Sequence, residues 1–285
     1  MTPTARRERF RAVLAGPGCV HPASVWDAMS ARIAEDLGFE TGILAGSTAS
    51  LAVLGAPDLI LLTLTEFADQ ARRIGRASRL PLLVDADHGY GNALNVMRTV
   101  QELEASGVAA LTIEDTELPW PFGPGGARLL PLDAGVGKIK AALAALAARA
   151  DPALVVAART SALELTGVDD AVARVRAYAA LGADAIFLAG VQDGAQLDAI
   201  AAAVGLPLIV SGASDPAAHA AQRVRISLQG HQPIMAAVQA AYATLKALRD
   251  GVAPASLPGL PPAAAMRRVT RREDYDGWTR KFLDG

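Results

Sequence analysis

Eight short apolar runs recur along the chain, at 19–23, 41–44, 81–85, 110–114, 154–158, 185–188, 207–210 and 225–228. They are apolar throughout rather than alternating, which suits strands covered on both faces. Between them, 30–37, 64–77, 93–106, 136–148, 168–180, 195–203 and 234–248 carry the apolar spacing of helices. Gly38, Gly75, Gly107, Gly182 and Gly205 fall near or after helix ends, where a left-handed residue closes the last turn. Repeated strand–helix units imply right-handed crossovers and a parallel sheet. Eight such units predict an α/β chain closed into a (β/α)8 TIM barrel rather than an open, doubly wound sheet.

A barrel over residues 1–250 fits the 285-residue length. Hydrophobic residues make up 52% of the chain and aromatics only 5%, so the core must be built from Ala, Val, Leu and Ile. Residues 251–285 begin with Pro254, Pro258, Pro261 and Pro262 and turn helical from about Arg271 to Leu283. They are expected to form a linker and a C-terminal helix, packing on the barrel or a neighbouring subunit.

The net charge of −2 offers nothing to a polyanion, so no nucleic-acid partner is expected. Arg267, Arg268, Arg271, Arg272, Arg280 and Lys281 are interleaved with Glu273, Asp274 and Asp276, the pattern of a solvated helix or subunit contact. Cys19, the single cysteine, excludes an intramolecular disulfide and reads as an inert core thiol. The Arg-rich start lacks a secretory apolar run, and no apolar stretch has a membrane-spanning pattern. The expected location is the cytoplasm.

In a parallel barrel the active site is assembled just past the carboxyl ends of the strands. Those positions carry Ser24, Trp26 and Asp27; Gly46, Ser47 and Thr48; Asp85-Ala86-Asp87-His88-Gly89-Tyr90-Gly91-Asn92; Glu114-Asp115; Arg159-Thr160; Ala189-Gly190; Ser211-Gly212; and Gln229-Gly230-His231. Asp85, Asp87 and Glu114 on one rim would repel one another unless a cation lies among them. They offer only oxygen, and no Cys/His set has metal-ligand spacing, so Mg2+ is favoured, with Mn2+ as a substitute. Plainer roles compete. Asp85 and Asp87 are candidate helix caps, Glu114 a structural partner of Arg159, Asp58 a surface turn residue, and His88 and His231 structural histidines. The cluster around Gly123, Gly125 and Gly126, with Pro119, Pro121 and Pro124, reads as a flexible loop or lid.

Asp85-Ala86-Asp87-His88-Gly89-Tyr90-Gly91-Asn92, Ile113-Glu114-Asp115 and Ala158-Arg159-Thr160 together resemble the isocitrate lyase/phosphoenolpyruvate mutase superfamily, over about 10–248. The segments 23–32, 44–47 and 92–100, with Gly230-His231, resemble its Mg2+-dependent oxaloacetate decarboxylase branch. The resemblance implies that Asp85 binds the metal directly while Asp58, Asp87 and Glu114 hold its waters. Amides around Gly46 and Ser47 would bind substrate oxygens. Arg159 would pair with the carboxylate of a small 2-oxo acid, and His231 would meet its distal carboxylate. It also implies a last barrel helix exchanged between subunits, in a homotetramer built of two dimers.

The lyases of the superfamily carry a Lys-Cys-Gly-His type loop after strand four. Here Pro119-Trp120-Pro121-Phe122-Gly123-Pro124-Gly125-Gly126 has neither Cys nor Lys. A decarboxylase needs no thiol there. The branch also leads one to expect a Tyr near Ala213, and none is present. The expected reaction is decarboxylation of oxaloacetate to pyruvate and CO2 through a metal-stabilised enolate. The alternatives are a C–C lyase on a 2-methylisocitrate- or alkylmalate-type acid, with Tyr90 or His88 as base, phosphonopyruvate-type chemistry, and binding of 2-oxo acids without turnover.

Overall fold

The computed structural model describes residues 1–148, 151–211 and 216–283. In chain order the elements are α1 (Pro3–Ala15), β1 (Ala23–Ser24), α2 (Ala28–Asp36), β2 (Gly42–Leu44), α3 (Gly46–Leu54), α4 (Leu64–Ala77), β3 (Leu82–Asp85), α5 (Ala93–Ala105), β4 (Ala110–Glu114), α6 (Leu132–Ala147), β5 (Val155–Thr160), α7 (Ala162–Leu165), α8 (Val168–Ala180), β6 (Ala185–Leu188), α9 (Gly194–Ala203), β7 (Leu208–Ser211), α10 (Pro216–Ala221), β8 (Val224–Leu228), α11 (Gln232–Arg249), a 3-10 turn (Pro254–Ser256), α12 (Ala263–Val269) and α13 (Arg272–Phe282).

The eight strands pair in sequence order, and every pairing is parallel. Val20 joins the two edges through a parallel bridge to Ile226. Its N–H donates to the Arg225 carbonyl and its own carbonyl accepts from Ser227 N–H, each at 2.9 Å. Pro22 follows and has no N–H to give a ladder. The first strand is therefore split: Val20 pairs with β8, and Ala23–Ser24 pair with β2. The apolar run at 19–23 marks this region but not its break.

The pleat sorts the strand residues into two layers. Ile43, Leu83, Ala110, Val155, Ala157, Ala185, Phe187, Ile209 and Ile226 pack together inside the barrel. Leu44, Leu82, Val84, Leu111, Ile113, Val156, Ala158, Ile186, Leu188, Leu208 and Val210 face the helices. Helix α1, whose Arg-rich sequence hides it from hydrophobic patterning, adds the buried Phe10 and Leu14 to the inner cluster and so closes one end of the barrel. It is tied down by the buried Arg7, which donates to the carbonyls of Val108 and Glu104.

Gly38, Gly107 and Gly182 are left-handed, as expected of helix stops. Gly75 instead lies within α4, 3.2 Å being all that would separate a Cβ there from Arg6 Nη1. Gly205 has no left-handed backbone either. In the tail, α12 precedes the expected terminal helix and packs on α2. Arg32 Nη1 donates to the Val269 carbonyl, and Arg271 pairs with Asp36. No helix among the described residues is long and apolar enough to cross a membrane.

Candidate active site

The parity that buries Leu83, Ala110, Val155, Ala185 and Ile209 inside the barrel also points the last residues of the same strands inward. Asp85 lies two residues after Leu83, Glu114 four after Ala110, Arg159 four after Val155, and Ser211 two after Ile209. Strand register then makes neighbours of Asp85 and Thr112, Glu114 and Arg159, and Arg159 and Phe187. All but Thr112 line a cavity of about 480 Å³ at the carboxyl ends of the strands, shared with Ser47, Asp58, Asp87, Trp120, Ser211 and His231. A larger cleft of about 740 Å³ lies outside the barrel, between α2, α3, α4 and α11. It holds Trp26 but none of the convergent charges, so the chemistry belongs to the smaller cavity.

Asp85 is held on both oxygens. Oδ1 accepts from Thr112 Oγ1 at 2.8 Å and from the Asp87 N–H at 3.2 Å, while Oδ2 pairs with Arg159 Nη1. Glu114 accepts from Thr116 Oγ1 at 2.8 Å and sits 3.5 Å from Arg159 Nε, close enough for an ion pair. That Nε is buried without a hydrogen-bond partner, and the guanidinium lies 5.2 Å from the centre of the Phe187 ring. Arg159 is therefore fixed on three sides, with its Nε turned toward Glu114.

Asp87 is left-handed, with φ of 48°. It is not a helix cap; Asn92 caps α5 in a reciprocal box with Asn95. A Cβ on Gly46 would lie 2.6 Å from Asp87 Oδ2, so only glycine lets that carboxylate lie against the start of α3. The first-turn amides of α3, including those of Gly46 and Ser47, have no partner inside the helix and form a donor set for anions. His231 precedes α11, and its Nδ1 is 2.8 Å from Ser24 Oγ.

The electrostatics call for a cation. Burial raises Asp87 well above the usual carboxylate range, and Asp85 and Glu114 push it further. Burial also raises Glu114, against the pull of Arg159, and raises Asp58 with help from Asp85. These side chains cannot all carry charge comfortably with one arginine among them. The donors are hard oxygens, as Mg2+ prefers. Among the described residues no three acidic, His or Cys side chains close on one point as direct ligands. The residues present fit a divalent metal.

Other expectations separate here. His88 is buried, absent from the cavity wall, and depressed to about 4 by burial and by Lys138. Tyr90 is raised by burial and by Asp87, and packs near Phe67 and His88. Neither is a ready base. The Gly/Pro loop hangs from the Thr116–Leu129 bridge and brings Trp120 to the cavity. Sequence places Ser24 at a strand end and Trp120 in the loop, but shows neither the bond of Ser24 to His231 nor the place of Trp120 and Phe187 on the cavity wall. Phe187 has a legible signal, since it shares the inward parity of Arg159. Ala213 lies outside the described residues.

Comparison with known proteins gives the family. Residues 10–249 match the model of the phosphoenolpyruvate phosphomutase family. An oxaloacetate decarboxylase of Bradyrhizobium sp. (strain BTAi1) is 57% identical over 100% of this chain and 99% of its own length. A structure of oxaloacetate acetylhydrolase in complex with the product oxalate superposes with a TM-score of 0.87, at 27% identity and full coverage of both chains. Phosphonopyruvate hydrolase, solved with oxalate and Mg2+, reaches 0.85 at 30% identity, over 99% of this chain and 100% of that one. Carboxylates and an arginine on one barrel rim, and a family match that spans both, place the chain in the phosphoenolpyruvate phosphomutase family of the isocitrate lyase/phosphoenolpyruvate mutase superfamily.

Proposed function

We propose that this protein is a Mg2+-dependent oxaloacetate decarboxylase. The observation that carries the reading is the meeting of Asp58, Asp85, Asp87 and Glu114 with Arg159 and His231 on one small cavity. The likeness over the whole chain to a named oxaloacetate decarboxylase supports it.

Asp85 would hold the metal directly, and Asp58, Asp87 and Glu114 would hold its waters. Bound Mg2+ supplies Lewis-acid polarisation of the 2-oxo group, and Mn2+ can substitute. Arg159, which lines the cavity, offers its guanidinium to the substrate's C1 carboxylate, a planar fork that lysine cannot copy. His231 turns toward the C4 carboxylate, with Ser24 fixing its ring. The C3–C4 bond breaks, CO2 leaves, and the bonding pair moves to the C2 oxygen as an enolate. Amides of Gly46 and Ser47 donate to the charge growing there; a donor of this kind contributes about 3 kcal/mol to the barrier. Water returns a proton to C3 and completes pyruvate. No step needs a thiol or lysine from the 119–126 loop.

The test is a side-by-side assay with oxaloacetate, 2-methylisocitrate and 2,3-dimethylmalate, with and without EDTA. Pyruvate and CO2 should form from oxaloacetate and stop on chelation. Turnover of a malate-type acid alone, or decarboxylation that survives full chelation, overturns the reading.

We read residues 1–250 as the catalytic barrel, 251–285 as an appended tail, and the working assembly as a homotetramer with α11 seated on a neighbouring subunit. In support, Ile234 is the buried residue of α11, while Met235, Val238, Tyr242 and Leu245 are exposed.

A further inference from the structure

Helix α6 buries a stripe of Gly135, Lys138, Ile139, Ala142, Ala145 and Leu146. Lys138 stands out in that stripe. It is 7% exposed, and an ammonium in an apolar layer is costly unless it is tightly engaged. Its Nζ donates to the carbonyl oxygen of His88 at 2.7 Å. The carboxylates of Glu114 and Asp115 favour its charge through space, but neither is its hydrogen-bond partner. Asp115 already accepts from Tyr178 at 2.6 Å and pairs with Arg174 at 3.0 Å.

The turn that Lys138 grips is the one that carries Asp87. Asp87 and Tyr90 are both left-handed without being glycine, and Gly89 between them is left-handed too. Such a backbone persists only when its surroundings over-determine it. Three successive carbonyls are anchored from outside. Glu114 N–H donates to Asp87 O at 2.9 Å, Lys138 to His88 O, and Thr99 Oγ1 to Gly89 O at 3.0 Å. Of these, Lys138 supplies the charged donor, and charge-assisted hydrogen bonds are the stronger kind.

We propose that Lys138 is a positioning residue that holds the Asp87 carboxylate in the metal site through the His88 carbonyl. The inference rests on the reading that Asp87 faces a divalent ion. It adds a buried helix residue, outside the cavity, on which ion affinity depends.

The experiment is a Mn2+ titration of the full chain without substrate, following the free-ion electron paramagnetic resonance signal, on wild type, Lys138→Met and Lys138→Arg. Melting temperature and Mg2+-dependent kinetics are measured alongside. Lys138→Met is expected to raise the Mn2+ Kd about tenfold or more, the usual cost of losing an outer-shell partner. Its kcat should recover largely at saturating Mg2+, and Lys138→Arg, which keeps a charged donor, should restore most of the affinity. A purely structural lysine would lower the melting temperature and leave the Kd in place. A folded Lys138→Met with wild-type Kd overturns the proposal while the metal reading stands. If Lys138→Met does not fold, Lys138→Gln is titrated instead: a raised Kd supports the proposal and a wild-type Kd overturns it. Failure of wild type itself to take up Mn2+, equal to that of Asp85→Ala, ends the metal reading and this proposal with it.

Discussion

Ser24 Oγ lies 2.8 Å from His231 Nδ1, joining the end of β1 to the start of α11 across the closure of the barrel. The bond occupies one ring nitrogen and leaves the other for a ligand. Burial lowers the His231 pKa, against the raising effect of Asp85 and Asp58. Ser24→Ala should cost about 1 kcal/mol of transition-state binding, roughly a fivefold fall in kcat/KM for oxaloacetate. His231→Ala should cost more. The double variant should be no worse than His231→Ala alone, since the hydroxyl acts through the ring. Additive losses in steady-state kinetics would show that the serine works independently.

Arg159 touches Asp85 and Glu114, stacks near Phe187, and has an unpartnered Nε. Lysine keeps the charge but loses the fork and the stacking face. Arg159→Lys should therefore lower kcat/KM by about 100-fold, mostly through KM, with a small change in melting temperature. Oxalate affinity, measured by calorimetry with Mg2+ present, should fall in parallel. Unchanged oxalate binding would remove Arg159 from carboxylate recognition.

The rim was legible in the sequence because strand parity and strand ends are local properties. Apolar runs ending in Asp85, Glu114 and Arg159 announce which side chains face the barrel axis. What escaped depended on distant partners. The α1 stretch reads as polar, yet Arg7 is buried because the Val108 and Glu104 carbonyls lie over it. The close approach of Gly46 to Asp87 is invisible until the two turns are placed side by side. Lys138 looks like a solvated lysine until the His88 carbonyl is placed beside it. Pairwise geometry of that kind leaves no periodic trace.

Gly46 gives the sharpest steric prediction. A methyl group there meets both Asp87 oxygens, at 2.6 and 2.8 Å. Alanine favours a helical first turn, so folding should be little affected. Gly46→Ala should raise the Mg2+ concentration for half-maximal activity by tenfold or more, because Asp87 must move. A melting temperature within a few degrees of wild type is the accompanying expectation. Normal Mg2+ dependence would mean that Asp87 does not contribute to the ion's surroundings.

His88 predicts an acid-sensitive step in stability. Burial, and then the charge of Lys138, depress it to about 4, and its Nδ1 is buried without a partner. Above about pH 6.5 the ring is neutral folded or unfolded, and its stabilising effect is fully present. As the pH falls toward about 4, the unfolded chain binds the proton first, so stability is lost across that window. The raised carboxylates Asp87 and Glu114 act with the opposite sign, which makes the difference between two chains the informative quantity. Urea unfolding of wild type minus His88→Phe should change by about 2 kcal/mol between pH 7 and pH 4, with wild type losing more. Parallel curves would place the acid sensitivity elsewhere.

The proposed seating of α11 on a neighbouring subunit makes assembly and activity testable together. Met235, Val238, Tyr242 and Leu245 recur at helical spacing and are each more than half exposed, an apolar stripe that a lone chain would leave in water. His231 lies immediately before this helix, so whatever seats the stripe also steadies the imidazole against Ser24. Light scattering should give wild type a mass several times that of one chain. Val238→Glu with Leu245→Glu should shift the population toward single chains, since an apolar contact cannot bury two carboxylates without partners. KM for oxaloacetate should then rise and become dependent on protein concentration, while Mn2+ affinity, which the proposal assigns to residues outside α11, should hold. A wild-type chain that is monomeric at catalytic concentrations, with the double variant equally active, would separate the stripe from both assembly and the site.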